Sequence, residues 1–276
     1  MKKILAIAMA LVMMLGCVVA FSSCNESATP AGDGNTPAKE KLVCGVTIFE
    51  NMNEKDANGN WIGFESEFAM AVAEILGMEV EFQEIDWGQK YNELNSGAID
   101  CIWNGFTANA SEKDGMKRSD LVDFSYGYMR NRQCIVVKTD RLAEFTSEAS
   151  LAGKSACVEG GSAGETYASG VGASEVLPAT SQINAFPEVK SGAVDFIVVD
   201  YLLAKNVCGQ GDYANLSIVD AIELESEIYA IGFKKGSDLT AKVNAAIKQL
   251  EENGKLMEIA EKYGFAPVLE VRETIE

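Results

Sequence analysis

The 276-residue sequence contains no histidine and little positive charge, since 23 Lys and Arg residues accompany 41 Asp and Glu residues. The absence of histidine removes the commonest general base and the commonest metal ligand. The formal net charge of -18 argues against a nucleic-acid partner, because binding to phosphates requires a basic surface. Histidine-dependent catalysis is therefore excluded, and binding to nucleic acid is disfavoured.

The cysteines show no paired spacing. Besides Cys17 and Cys24 near the N-terminus, the chain has five cysteines, at Cys44, Cys101, Cys134, Cys157 and Cys208. An odd number without a repeated interval indicates neither a disulfide framework nor a metal site, so we interpret them as small buried hydrophobic residues. We expect no cofactor and no bound metal.

The N-terminus has the composition of an export signal. Lys2 and Lys3 precede the apolar residues 4–21, which predicts a signal peptide over residues 1–23. The run is about 18 residues long, so an uncleaved membrane anchor is the alternative. Small residues before Cys24 and a polar tether over residues 24–40 are typical of a bacterial lipoprotein. We expect a lipid on Cys24, with Cys17 as the alternative, and attachment to the outer face of the membrane.

Two stretches of the chain repeat one pattern, at residues 91–105 and 186–200. In each, a short helix leads into Ser-Gly-Ala, an apolar residue, Asp and an apolar run. Gly97 and Gly192 are natural residues to end these helices, because glycine adopts a left-handed backbone without strain. The apolar runs predict buried strands of parallel sheets. Two such units predict two α/β lobes built alike.

Polar residues follow both repeated strands. The first leads to Gly105 and Thr107, and the second ends at Asp200. Ligands of open α/β sheets bind beyond the carboxyl ends of the strands. A buried Asp200 carboxylate is costly unless it meets a cation or caps the following helix, and both alternatives are open.

A glycine-rich turn at residues 160–164 leads into a predicted helix. Ser162 and Glu165 have the spacing of a capping box, so we predict that Ser162 caps the helix. The exposed N–H groups of such a turn can hold an anion, although a plain capped turn is the alternative. It is no phosphate loop, because it lacks the Gly-Lys-Ser/Thr ending. Together with Asp200, an anion site in the same lobe suits an α-amino acid.

Three further residues are candidates because of their positions. Trp87 follows a predicted strand, where it either stacks on a ligand or packs in the core. Phe49 and Glu50 lie on the loop after the first strand, where surface exposure is the default. The remaining predicted elements include strands at residues 42–46, 78–82 and 133–137, a polar loop at 47–60, and closing helices at 239–250 and 255–262.

In this order, the motifs resemble the family 3 solute-binding proteins of bacterial ABC transporters for polar amino acids. The resemblance spans residues 41–264 and rests on Leu42-Val43-Cys44-Gly45-Val46, Gly63-Phe64-Glu65, the two Ser-Gly-Ala-x-Asp repeats, Gly105-Phe106-Thr107, Val122-Asp123-Phe124-Ser125, Gly161-Ser162 and Asp200. It implies a two-lobed α/β fold of the type II periplasmic-binding-protein kind, with each lobe a mainly parallel sheet flanked by helices. Lobe 1 is then residues 41–128 and 231–276, lobe 2 is residues 133–226, and the hinge is residues 129–132 and 227–230.

The resemblance also implies the ligand contacts. Asp200, the Thr107 hydroxyl and the Gly105 carbonyl would bind the ammonium group of an amino acid. Ser162 and the Ala163 N–H would bind its carboxylate.

The carboxylate-binding arginine of the family is displaced. It normally lies five residues after the threonine, where this chain has Glu112. The spacing to Val122-Asp123-Phe124-Ser125 indicates about six extra residues within 110–117, which would make Arg118 the bidentate partner of the carboxylate. A surface location of Arg118 is the alternative.

The position of selectivity residues in the family points to Glu50, with Phe49 adjacent, and to Glu159. Acids at both places suit a cationic or strongly polar side chain, although both could face solvent.

The implied function is a monomeric, lipid-anchored extracytoplasmic receptor that delivers an amino acid to an ABC transporter permease and is not an enzyme. The alternatives are a dehydratase on the same fold, with Glu159 or Glu50 as the acid, and an extracellular amino-acid sensor.

Overall fold

The computed structural model describes residues 40–275. The predicted signal peptide, the alternative anchor, the lipidated Cys24 or Cys17, and the tether up to residue 39 lie outside the described residues. Within residues 40–275, no helix combines the length and the apolar character needed to span a bilayer.

Short strands alternate with helices along the described chain. The strands are β1 (Lys41–Val46), β2 (Glu54–Lys55), β3 (Trp61–Ile62), β4 (Glu79–Glu84), β5 (Cys101–Ile102), β6 (Asp123–Phe124), β7 (Gly127–Lys138), β8 (Ser155–Glu159), β9 (Glu175–Ala179), β10 (Phe196–Asp200), β11 (Leu216–Ile218), β12 (Ser226–Tyr229), β13 (Gly232–Phe233) and β14 (Leu269–Arg272). The α-helices are α1 (Phe64–Leu76), α2 (Lys90–Ser96), α3 (Arg118–Leu121), α4 (Ala163–Gly170), α5 (Phe186–Ser191), α6 (Tyr201–Val207), α7 (Asp238–Glu252) and α8 (Lys255–Lys262).

The strands form two main sheets. The first has the order β4-β1-β5-β13-β6, and the second has the order β11-β7-β10-β8-β9, with β12 and β14 added to β7. β1 is parallel to β4 and β5, and β8 is parallel to β9 and β10. The strands that pair with β7 and β13 are antiparallel. Each sheet therefore has the expected parallel part and, where β7 and β13 return the chain in the opposite direction, an antiparallel part.

The two repeated units have the same local structure. Gly97 ends α2 with φ 79°, and Gly192 ends α5 with φ 80°. The carboxylate of Asp100 accepts a backbone N–H of β1 at 2.8 Å, and that of Asp195 accepts a backbone N–H of β8 at 2.8 Å. In both units, the hydrogen bond to the repeated Asp thus links the strand that follows it to the parallel neighbouring strand.

One long strand connects the two sheets. β7 runs through residues 127–138, although the sequence pattern predicted a strand only at 133–137. Its first half pairs with β12 and β14, and its second half pairs with β10 and β11. The two predicted hinge segments therefore lie side by side, with Met129 opposite Tyr229 and Arg132 opposite Ser226.

The five described cysteines form no disulfide. Four are buried and Cys208 is half-buried, which fits their interpretation as small hydrophobic residues. The sulfur atoms of Cys44 and Cys101, on neighbouring parallel strands, are 3.6 Å apart.

Candidate functional site

A narrow cavity lies where β5, β8 and β10 end. We call it the central cavity; its lining residues are Trp87, Asn104, Gly105, Thr107, Arg118, Gln133, Glu159, Ser162, Ala163, Gln182 and Asp200. Protein atoms leave about 250 Å³ of this region unfilled. The centre of a water molecule, however, fits in only about 10 Å³ of it. That space is about enough for one water molecule. Eight of the ten predicted ligand-binding residues line this cavity.

Arg118 is buried at the cavity wall. Its side chain is 1% exposed, so the alternative of a surface arginine is wrong. Its Nε donates to Glu112 Oε1 at 2.9 Å, and its Nη1 donates to the carbonyl of Thr107 at 3.1 Å. Its Nη2 has no hydrogen-bond partner within the described chain. A buried donor without an acceptor is costly, which marks Nη2 as a binding group for an anion.

The residues before Arg118, where the sequence predicts an insertion, form a closed loop. Ser111 and Lys117 face each other in an antiparallel bridge, and the N–H of Arg118 donates to the carbonyl of Ala110 at 3.2 Å. The two ends of the loop therefore lie next to each other. This geometry is compatible with the predicted insertion, since Arg118 contacts the carbonyl of Thr107 from the end of the loop.

The turn before α4 presents donors to the cavity. The Ser162 hydroxyl accepts the N–H of Glu165 at 3.1 Å, so Ser162 caps the helix as predicted. The Glu165 carboxylate accepts the N–H of Gly161 at 2.7 Å. The hydroxyl hydrogen of Ser162 is still available to donate, and Ala163 is the first residue of α4, where backbone N–H groups have no partner inside the helix.

The close approach of α4 to β10 requires a glycine at position 164. A Cβ atom there would lie 2.7 Å from the carbonyl oxygen of Val198. The absence of a side chain therefore brings the start of α4 against the strand that ends at Asp200.

Asp200 is buried, 3% exposed, at the end of β10. Its carboxylate accepts hydrogen bonds from the side-chain amides of Asn131 at 2.7 Å, Gln133 at 2.6 Å, and Gln182. It makes no capping bond to α6, so the capping alternative is wrong. Burial raises the pKa of Asp200, and the hydrogen bonds from these amides act in the opposite direction.

Gly105 is held by a buried acid in α1. The two carboxylate oxygens of Glu65 each accept the Gly105 N–H at 2.9 Å, and the Tyr128 hydroxyl also donates to Glu65. Burial raises the pKa of Glu65 to about 7. A Cβ atom on Gly105 would lie 3.2 Å from the rings of Phe49 and Tyr229. These contacts fix the position of the Gly105 carbonyl beside the cavity.

Glu159 is the second acid of the cavity wall. It ends β8, is 2% exposed, and its Oε1 has no hydrogen-bond partner in the described chain. Burial, together with the nearby Asp200, raises the pKa of Glu159 to about 8. A solvent-facing Glu159, the alternative considered above, is therefore wrong.

Phe49 and Glu50 do not line the central cavity, unlike the other eight candidates. Phe49 is buried in the core beneath Gly105. Phe49 and Asn53 form an antiparallel bridge around a tight turn that contains Asn51 at φ 61°, and Glu50 in this turn is half-buried. The expected polar loop at 47–60 also contains β2, which pairs with β3.

Trp87 and Lys90 close one side of the cavity. Trp87 lines the cavity and also packs edge-on against Phe106, with ring centroids 5.4 Å apart, so it is a packing residue, and its stacking on a ligand stays a prediction. The Lys90 ammonium donates to the carbonyl of Gly161 at 2.8 Å and lies 3.8 Å from Glu112. Lys90 therefore joins the first lobe to the glycine-rich turn of the second.

The charges around the cavity do not balance. The two nearby cations, Arg118 and Lys90, both pair with Glu112. Across residues 40–275, neither Glu159 nor Asp200 has an ion-pair partner. The site thus offers one unsatisfied guanidinium N–H on one side and two buried acids without an ion-pair partner on the other.

Comparison with known proteins identifies the fold and the family. Residues 42–266 match the model of the bacterial extracellular solute-binding proteins, family 3. The chain belongs to this family. An ancestral arginine-binding protein bound to glutamine has a TM-score of 0.74 and 33% identity, covering 83% of this chain and 100% of that one. The predicted two-lobed fold of a solute-binding protein is confirmed.

Curated relatives of this solute-binding protein are named for amino acids. The arginine-binding extracellular protein ArtP of Bacillus subtilis (strain 168) is 28% identical over 262 residues, which cover 92% of this chain and 96% of the relative. The L-cystine-binding protein TcyA of the same organism is 28% identical over 276 residues, which cover 95% and 97%. These relatives are binding proteins, and they differ in the amino acid they are named for.

Several residues around the site were not predicted from the sequence. Gln182 and the amides of β7 contact Asp200, and Glu65 contacts Gly105. A signal existed for Glu65, because it lies at helical spacing with Phe68 and Val72 on the buried face of α1. No local pattern marks Gln182, whose partner is 18 residues away.

Proposed function

We propose that this protein binds a cationic α-amino acid between its two lobes and delivers it to an ABC transporter permease. The observation that supports this proposal most directly is the charge imbalance of the central cavity. An α-carboxylate satisfies the unpaired Arg118 Nη2, and an α-ammonium satisfies Asp200. Glu159 then remains as a buried acid, and a positively charged side chain is its natural partner.

The ligand contacts follow from these positions. Arg118, the Ser162 hydroxyl and the Ala163 N–H bind the α-carboxylate. Asp200, the Gly105 carbonyl and the Thr107 hydroxyl bind the α-ammonium. Each end of the ligand is held by both lobes, so the ligand stabilises the closed arrangement more than the open one.

Binding requires movement, because the central cavity in its present form has room for little more than a water molecule. We propose that residues 129–132 and 227–230 are the hinge between lobe 1 (41–128 and 231–276) and lobe 2 (133–226). The contacts that hold the lobes together across the cleft include Lys90 to Gly161 at 2.8 Å and Lys113 to Glu165 at 3.1 Å. The lobes separate to admit the amino acid and close on it.

The names of the relatives support an amino acid as ligand, and arginine is among them. We further propose that the protein acts as a monomer outside the cytoplasm. A lipid on Cys24 and the tether that follows would keep it close to the permease in the membrane.

A dehydratase is the second candidate, favoured by one observation. Glu159 is a buried carboxyl group with a pKa raised to about 8, which suits a general acid. Turnover of prephenate-like substrates by the purified protein, lost in Glu159→Gln, would support catalysis, whereas binding of arginine without turnover supports the receptor.

Calorimetric titration with L-arginine and L-citrulline tests the receptor proposal. The two amino acids have similar shapes, but the side chain of citrulline is uncharged. We expect arginine to bind about 30-fold more tightly, because one charge-assisted contact to Glu159 distinguishes them. A thermal-shift screen with the twenty amino acids finds any other ligand, since ligands of the folded state raise the melting temperature.

Glu159→Gln should abolish the preference for arginine. Glu175→Gln removes an exposed acid from the neighbouring strand β9 and serves as the charge-matched control. Equal binding of arginine and citrulline by the unmodified protein would contradict the assignment of Glu159. The absence of binding to any amino acid would contradict the receptor proposal itself.

A further inference from the structure

Two buried carboxylates share the same two amide donors beside the central cavity. Asn131 Nδ2 donates to Asp200 Oδ1 and to Glu227 Oε2, both at 2.7 Å. Gln133 Nε2 donates to Asp200 Oδ1 at 2.6 Å and to Glu227 Oε2 at 3.1 Å. Asp200 ends β10, Glu227 belongs to β12, and both amides project from β7.

This arrangement holds two like charges close together in the protein interior. Since both acids accept from one amide nitrogen, their oxygens lie within about 5 Å of each other. Glu227 is 8% exposed, and neither acid forms an ion pair within the described residues. Two buried carboxylates at this distance do not both ionise readily at neutral pH. Burial and the adjacent Asp200 raise the pKa of Glu227 to about 7.

The surroundings offer little compensation for a second negative charge. The titratable or charged groups that face the pair are Glu65 from α1, Arg118 from α3, Tyr128 and Cys134 from β7, Glu159 from β8, and Tyr229 from β12. Arg118, the cation in this group, is already paired with Glu112. Arg132, also on β7, stacks over the ring of Tyr201 at 4.0 Å.

We propose that Asp200 and Glu227 act as one unit that holds a single shared proton in the ligand-free protein, and that the α-ammonium of the ligand replaces this proton, which passes to solvent. The second half of this inference rests on the proposed function, since it requires an amino acid at Asp200. Asn131 and Glu227 lie in the two proposed hinge segments, so the exchange of proton for ammonium takes place where the lobes join.

The consequence is a pH-dependent affinity with a defined sign. A proton on the pair competes with the ammonium group, so binding weakens as the pH falls below the raised pKa of the pair. For one linked proton, the dissociation constant rises at most about tenfold per pH unit.

The shared proton can be tested without any ligand. In protein labelled with ¹³C at the glutamate carboxyl carbons, the Glu227 signal is assigned by its loss in Glu227→Gln and followed from pH 4 to pH 9. We expect the pKa of Glu227 to fall by at least about one unit in Asp200→Asn, because the neighbouring charge is gone. A normal pKa in the unmodified protein, or no change in Asp200→Asn, would overturn the inference.

The exchange is tested by calorimetry with L-citrulline, whose uncharged side chain avoids a contribution from Glu159. Titrations near pH 6.5 in buffers of different ionisation enthalpy give the number of protons released on binding. We expect the unmodified protein to release about half a proton to one proton on binding. The control Glu225→Gln, which replaces an exposed acid two residues away, should release the same number, and Glu227→Gln should release close to zero.

Unchanged proton release in Glu227→Gln would contradict the exchange. A failure of all variants to bind any amino acid would instead contradict the proposed function, while the carbon titration still decides whether the proton is shared.

Discussion

The two repeated units of this chain agree within the sheets and differ where their strands end. Gly97 and Gly192 end their helices with nearly the same left-handed backbone, and Asp100 and Asp195 each fasten a neighbouring strand. Five residues after the repeated Asp, however, the first unit has Gly105 and the second has Asp200. The repeat therefore maintains the architecture, and the strand ends determine the chemistry.

This difference gives the central cavity its polarity. The first lobe contributes the neutral carbonyl of Gly105 and the guanidinium of Arg118, whereas the second contributes the acids Glu159 and Asp200. A site built from two identical strand ends would have no preferred orientation for a zwitterion. In the proposed function, this asymmetry distinguishes the ammonium end of the amino acid from its carboxylate end.

The largest expected effect distinguishes Asp200 from Asp195, two acids of the second repeated unit. Asp200→Asn should weaken amino-acid binding about 1,000-fold, because it removes the buried partner of the ammonium group. Asp195→Asn should leave the affinity unchanged but lower the free energy of unfolding by about 1–2 kcal/mol, since Asp195 holds β8 and Arg141. Calorimetric titration and chemical denaturation measure the two effects, and a loss of affinity in Asp195→Asn would contradict the division of roles.

The next effect tests the first lobe. Arg118→Met should weaken binding about 100-fold, less than Asp200→Asn, because Ser162 and the Ala163 N–H still bind the carboxylate. Lys117→Met is the matched control, since the side chain of Lys117 is exposed on the same loop. Unchanged affinity in Arg118→Met would show that the inserted loop has not replaced the carboxylate-binding arginine of the family.

The smallest effect tests the equivalence of the repeats. Gly97→Ala and Gly192→Ala should each cost about 1 kcal/mol of stability, because alanine is strained in a left-handed backbone. A Cβ atom at either position meets no atom within 4 Å, so no clash adds to this cost. The melting temperature should fall by about 2–4 °C in both variants, with ligand affinity unchanged.

Gly170→Ala is the control for both glycine substitutions. This glycine also has open space around it, but it lies in α4 with an ordinary helical backbone. It should not lower the melting temperature. Clearly unequal losses in Gly97→Ala and Gly192→Ala would show that the two units are not structurally equivalent.

Local patterns in the sequence predicted the architecture well. The helices with apolar spacing, the glycine ends and the buried strands are set by neighbours within a few residues, and the structure has them near the predicted positions. Asp200 and Ser162 were proposed from local patterns, because Asp200 ends a predicted strand and Ser162 has capping-box spacing to Glu165. The family resemblance added Arg118 and Glu159.

The remaining features depend on long-range contacts. Asn131 donates a hydrogen bond to Glu227, which lies 96 residues away in the sequence, and no local pattern predicts that contact. Phe49 was misplaced for a related reason: a tight turn buries its ring under Gly105, 56 residues further along the chain. Strand pairing and loop closure decide such positions, and both are properties of the folded chain.

A crystal structure of the protein with L-arginine bound is the most direct test of the account. We expect the α-ammonium within about 3.2 Å of the Asp200 carboxylate, the α-carboxylate at the same distance from Arg118 Nη2, and the guanidinium group beside Glu159. An amino acid bound in the opposite orientation, or bound outside the central cavity, would contradict it.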